Sequence, residues 1–214
     1  GSALTAASAV PAALSAEASR LGRAVAGADT VPLWSSDLPR GGHRRHGPAP
    51  HGPADVAYLP ACVNAMFGPA ENGIGVQAAF EKLCALAGLT LAVPDDIDAL
   101  CCGTPWSSKG MAAGYATMRE RTVSAVLRAT RDGELSLVCD ASSCTEGLIK
   151  ILHEDAPHVR VIDAVTLVAE RVLPALGDHP KVASLTVHPT CSSTQLGTND
   201  ALLAVARAAA DDVV

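Results

Sequence analysis

The chain has 214 residues, enough for one large or two small domains with a real core. It is 49% hydrophobic but only 3% aromatic, so that core is aliphatic, and a formal charge of −6 argues against nucleic-acid binding, which needs a basic surface. No apolar run reaches the roughly 18 residues that span a bilayer, so no transmembrane segment is expected.

The start, GSALTAASAVPAAL, lacks a basic stretch and is not read as a signal peptide. Leu14, Ala18, Leu21 and Val25 form one stripe at helical spacing, which predicts a helix from about Pro11 to Ala26. The following DLPRGGHRRHGPAPHGPAD is rich in Gly, Pro and His and reads as a linker. His43, His46 and His51 sit there among Arg, Pro and Gly, which favours a solvated linker over a metal site.

From Asp55 the pattern is strand, loop and helix, repeated. VAYLPA (56–61), LTLAVP (89–94), LSLVCDA (135–141), VRVIDA (159–164) and SLTVHP (184–189) are short aliphatic runs. Amphipathic stretches separate most of them, which predicts an α/β fold with a mainly parallel sheet and flanking helices. YLPACVNAMFG and TVHPTCSSTQLG both close a strand with Pro-x-Cys and place Gly at the same distance beyond (Pro60/Pro189, Cys62/Cys191, Gly68/Gly197). The expected organisation is therefore an N-terminal helix and linker from an upstream domain (1–54), a first complete unit (55–182) and the opening of a second (183–214).

Seven cysteines are the informative excess. An odd number with two adjacent does not suit a disulfide framework, and without a signal peptide the compartment expected is a reducing, cytoplasmic one. In an open parallel sheet, ligands gather beyond the carboxyl ends of the strands. Cys62 lies just past the first strand, Cys101 and Cys102 after the second, and Cys144 after the third, so three loops are expected to carry thiols to one rim. Iron–sulfur clusters need several thiolates brought together in this way. Gly103 lets backbone pass close to such a group, and helix starts expected after Ser143 and near Ser108 would favour thiolates. Cys84 falls on the apolar face of a helix and reads as core. Cys139 alternates with Leu135 and Leu137 and points along its strand into the core. Trp106 is as well placed to shield a cluster as to pack; Lys109 and His188 read as a solvent-facing residue and a strand-end residue.

The pattern Cys62…Cys101-Cys102-Gly103…Cys144, with CCGTPWSSKG at its centre and DASSCTEGL after it, resembles the cysteine-rich CCG domain. That domain occurs in heterodisulfide reductase subunits, the glycolate oxidase iron–sulfur subunit and FAD-linked D-lactate dehydrogenases. YLPACVNAMFG and HPTCSSTQLG resemble the two cysteine-bearing strand ends of the tandem in the last group, and VPLWSSDLPR resembles the segment leading into it. The resemblance implies cluster ligands (4Fe-4S type) at Cys62, Cys101, Cys102 and Cys144, with Cys191 serving the second repeat. Some CCG domains end in CxxC, whereas four residues separate Cys139 from Cys144; the match to DASSCT favours Cys144 and leaves Cys139 open. The second repeat's own Cys-Cys-Gly, at the same interval, would fall past Val214.

The implied parent oxidises a D-2-hydroxy acid on FAD and passes electrons through iron–sulfur centres to a cytochrome or quinone. Its partners would be upstream FAD and ferredoxin-like domains, and its place the cytoplasm or the inner face of the membrane. No glycine-rich dinucleotide loop occurs in this stretch, so FAD is expected in the parent and not here, and the chain alone should be catalytically silent. Two other readings stand beside this one: a heterodisulfide-reductase-like thiol/disulfide domain, and a structural metal-binding docking module.

Overall fold

The computed structural model describes residues 1–47, 53–70 and 73–214. It divides into two compact units, one formed by Gly1–Arg45 with Cys62–Val76, the other by His46–Ala61 with Gln77–Val214.

In the smaller unit, helix α1 (Ser2–Ser8) and helix α2 (Ala12–Ala26) flank Pro11, which cannot donate to a continuous helix. Ser15 ties them together by donating to the Ala7 carbonyl at 2.8 Å. The expected stripe faces outward: Leu14, Leu21 and Val25 are 62%, 68% and 82% exposed, while Ser15 is the buried residue of α2. Helix α3 (Val63–Met66) is a single turn. The segment read as a solvated linker is partly packed. Its Gly68-facing carbonyl, that of Arg40, accepts from the Gly68 N–H at 2.7 Å, and a Cβ on Gly42 would overlap the Asn64 carbonyl oxygen. Arg45 is buried, His43 and His46 are exposed, and His51 lies outside the described residues.

The larger unit is the expected α/β structure. Strands β1 (Val56–Leu59), β2 (Leu91–Ala92), β3 (Leu137–Cys139) and β4 (Val161–Asp163) form a wholly parallel sheet in the order β2-β1-β3-β4. Side chains alternate between its faces. Ala57, Leu59, Leu137 and Cys139 enter one core with Ala125, Val126, Leu148 and Leu152. These come from α6 (Ala112–Thr130) and α7 (Ser142–Asp155). Val56, Tyr58 and Val138 enter the other with Phe80 and Cys84 of α4 (Val76–Leu86) and Leu167 of α8 (Ala164–Leu167). Each fully buried Leu on these faces contributes about 1.5–3 kcal/mol, which accounts for a stable core with few aromatic rings.

The chain beyond α8 continues as a wide turn (Val168–Val172) and a tight one (Leu173–Ala175), where Pro174 removes a donor and ends the helix. Strand β5 (Val182–Leu185) then pairs in parallel with β6 (Ala210–Val213) as a separate two-stranded sheet, joined through α9 (Cys191–Gln195) and α10 (Asn199–Ala209). β5 starts before the expected run; the Val187 N–H still reaches the Val214 carbonyl, so the pairing frays into the expected segment. Among the described residues, no helix is long and apolar enough to cross a membrane.

Candidate functional site

β1 and β3 are neighbours although β2 lies between them in sequence, so connections leave the sheet in opposite directions at this point. Such a switch point opens a crevice at the carboxyl ends of the strands. Two chain segments bring cysteines there: the turn after β2, which runs through Cys101-Cys102-Gly103 into α5 (Thr104–Ser108), and the end of β3 with the first turn of α7.

Glycines make the approach of these segments possible. Gly103 has φ +80°, and a Cβ there would lie 2.8 Å from Tyr115 Cε2 and 3.0 Å from Ile151 Cδ1. A Cβ on Gly147, in α7, would overlap Thr104 Oγ1 and lie 2.8 Å from the Cys102 carbonyl oxygen. The Thr122 hydroxyl of α6 donates to the Cys101 carbonyl at 2.9 Å and anchors the same turn from the other side.

The sulfurs that meet are those of Cys101, Cys102, Cys144 and Cys139. Cys102 is 3% exposed, Cys144 9% and Cys139 fully buried, while Cys101 is half-buried. Cys102 accepts hydrogen bonds from the Cys101 and Cys144 thiols and from the Thr104 N–H; its Sγ is also 3.4 Å from Thr104 Oγ1. These bonds hold the Cys102 thiol well below the usual thiol range, against the opposing effect of burial. Cys144 moves the other way: hydrogen bonds to Cys102 and Cys139, then burial, keep its proton in place. The two thiols are pushed apart because adjacent sulfurs cannot both ionise in a buried place.

The other predicted residues lie on other elements. Cys62 opens α3 in the smaller unit and is half-buried. Cys191 is exposed at the start of α9, where Ser192 donates to Glu146 of α7 at 2.9 Å. Both cysteines therefore open a short helix after a strand, but Gly197 has φ +69° whereas Gly68 is not in the left-handed region. Cys84 is buried in the opposite core. Trp106 of α5 is half-buried against α6, where a Cβ at Gly114 would overlap its ring; Lys109 and His188 are exposed. Helix α7 starts at Ser142 close to expectation, but Ser108 closes α5 rather than opening a helix.

Asp140 and Asp163 are functional-site residues that the sequence reading passed over. Asp140 accepts from the Tyr58 hydroxyl and the Ala61 N–H, each at 2.7 Å. Asp163 caps α8 through the Val165 N–H at 3.1 Å and accepts from the buried Thr145 hydroxyl at 3.1 Å. An Asp at the carboxyl end of each of two strands was the available signal.

Four soft sulfur donors suit iron–sulfur chemistry in type and number. Their present arrangement is that of thiols bonded to one another. Among the described residues, no group of three or more His, Cys, Asp or Glu side chains is arranged to hold a metal ion. No cysteine is in a disulfide. A groove of about 860 Å³ beside Tyr115, Arg119, Val123 and Leu127 is not lined by a cysteine. No family model, curated protein or solved structure matches the chain.

Proposed function

We propose that this chain is part of the iron–sulfur, electron-transfer region of an FAD-linked D-2-hydroxy-acid dehydrogenase, with its thiol-bearing turns as the cluster-binding element. The observation that supports this reading is the convergence of Cys101, Cys102, Cys139 and Cys144 on one point at the carboxyl end of a parallel sheet. Packing alone does not need four sulfurs there, or two glycines that admit the backbone beside them.

The residues divide the work. Cys101, half-buried, is the more exposed neighbour of Cys102. Cys102, its thiol held well below the usual range, is the ready thiolate. Cys144 and Cys139 would release protons on binding, as thiol ligands must. The aliphatic core behind them excludes water from the buried side. An iron–sulfur group held there would accept and release electrons one at a time. Oxidation of the hydroxy acid would belong to an FAD domain elsewhere in the parent, with a cytochrome or quinone as acceptor.

Metal analysis after anaerobic purification tests this reading. Iron with acid-labile sulfide supports it; zinc alone replaces it with the docking-module reading. A thiol/disulfide role is favoured by the hydrogen bond between Cys102 and Cys144. In that case a small disulfide would be reduced to two thiols as the two protein thiols lose two protons and two electrons and join. Mass spectrometry would then find a Cys102–Cys144 disulfide that forms and is reduced reversibly in metal-free protein.

A further inference from the structure

The β1–β3 ladder stops in an unusual way. Its last registered pair is Leu59 with Cys139. Pro60 follows on β1 and has no N–H to offer, so backbone pairing cannot continue. The Asp140 side chain takes over: Oδ1 accepts from the Ala61 N–H and Oδ2 from the Tyr58 hydroxyl, each at 2.7 Å. Tyr58 is itself fixed. It is fully buried, and its ring lies 4.8 Å from that of Phe80. A carboxylate between two well-placed donors makes strong, directional bonds.

Asp140 also occupies a particular place in the chain. Cys139 precedes it, and Ala141, extended at φ −141°, leads straight into the first turn of α7, which carries Cys144. Whatever fixes the Asp140 carboxylate fixes the exit of β3 and hence the direction in which Cys144 enters the thiol group. An Asp so close to a helix start would ordinarily be expected to cap it. Here the carboxylate accepts from β1 instead, and no side chain caps α7 at Ala141. The helix start forgoes a cap so that the strand ends can be tied together.

We propose that Asp140 is the positioning residue of the thiol site, acting through Cys144: its carboxylate, held by Tyr58 and Ala61, sets the turn that places the Cys144 sulfur against Cys102 and Cys139. This deepens the reading of the thiol group as the functional site and rests on it.

The test is alkylation of the metal-free protein with iodoacetamide, followed at each cysteine by mass spectrometry, so that its outcome is separate from that of iron uptake. In Asp140→Ala, modification of Cys144 is expected to rise about tenfold or more, since protection depends on the sulfur's surroundings. Cys84, in the opposite core, is expected to stay unmodified and reports on the fold as a whole. Asp140→Asn keeps an oxygen for the Ala61 N–H and can donate its NH2 to the Tyr58 hydroxyl oxygen, so it should retain much of the protection that Asp140→Ala loses. An unchanged Cys144 rate in Asp140→Ala overturns the proposal. So does a rise matched by Cys84, which marks a loss of general stability, or an Asp140→Asn as reactive at Cys144 as Asp140→Ala.

Discussion

Gly147 and Cys102 are packed so closely that no methyl group fits between α7 and the cysteine turn. A Cβ on Gly147 would lie 2.8 Å from the Cys102 carbonyl oxygen and 3.3 Å from its Cβ. Both atoms belong to the backbone or its first substituent, so neither moves away cheaply. Gly147→Ala should therefore cost about 1–3 kcal/mol, the usual range for overpacking, although alanine favours a helix over glycine. Urea denaturation checks this, and an alanine that stabilises the protein would show that the turn yields easily.

Cys84 should behave as plain core. Burial pushes its thiol up to about 12. The folded state thus favours the protonated form, and its contribution to stability is full below the ordinary thiol value of about 8.5. That contribution is lost as pH rises from there toward about 12. Cys84→Val should change stability at neutral pH by less than about 1.5 kcal/mol and flatten the alkaline slope of the melting temperature.

The clasp between α6 and α7 should be acid-sensitive. Arg119 donates to both oxygens of Asp155 at 2.6 Å and pairs with Glu154 at 2.6 Å. The Arg119 hydrogen bonds hold the Asp155 carboxyl below the usual carboxylate range. A depressed carboxylate stabilises above its unfolded value, near about 3.9, and the effect fades as pH falls below that point. Arg119→Gln should remove this part of the acid dependence and leave the neutral melting temperature little changed, because exposed pairs contribute little.

Asp163 ends β4 and starts α8 in one residue. Asp163→Ala removes the acceptor for the Val165 N–H and one of the two acceptors of the buried Thr145 hydroxyl, which retains the Ala141 carbonyl as a partner. Loss of a helix cap costs about 0.5–2 kcal/mol. The melting temperature should fall accordingly, and Thr145→Val should recover part of the loss in the Asp163→Ala background.

Much of this architecture was legible in the chain. The strand-loop-helix alternation from Asp55 onward gives the parallel sheet, and the core position of Cys84 follows from helical spacing alone. Strand lengths were not legible: LTLAVP reads as a six-residue strand, yet only Leu91 and Ala92 pair, because β2 has one neighbour and Pro94 ends it. The α2 stripe was legible as a stripe but not as an exposed one, since periodicity says which residues share a face and not what covers it. Within the site, Cys101, Cys102 and Cys144 could be placed after strands by counting. The contact of Cys144 with Cys139 could not, because it depends on how α7 leaves β3. Asp140 was missed for a related reason. Before a helix it looks like a cap, and only the strand order places β1 next to it.

The central claim is that the thiol group takes up iron, and anaerobic reconstitution of this chain with iron and sulfide tests it most directly. The account predicts a brown protein with broad visible absorption and bound iron and sulfide. Cys102→Ser should abolish most of the signal while Cys84→Ser leaves it intact. A chain that remains colourless and iron-free, or one whose iron content is unaffected by Cys102→Ser, would contradict it.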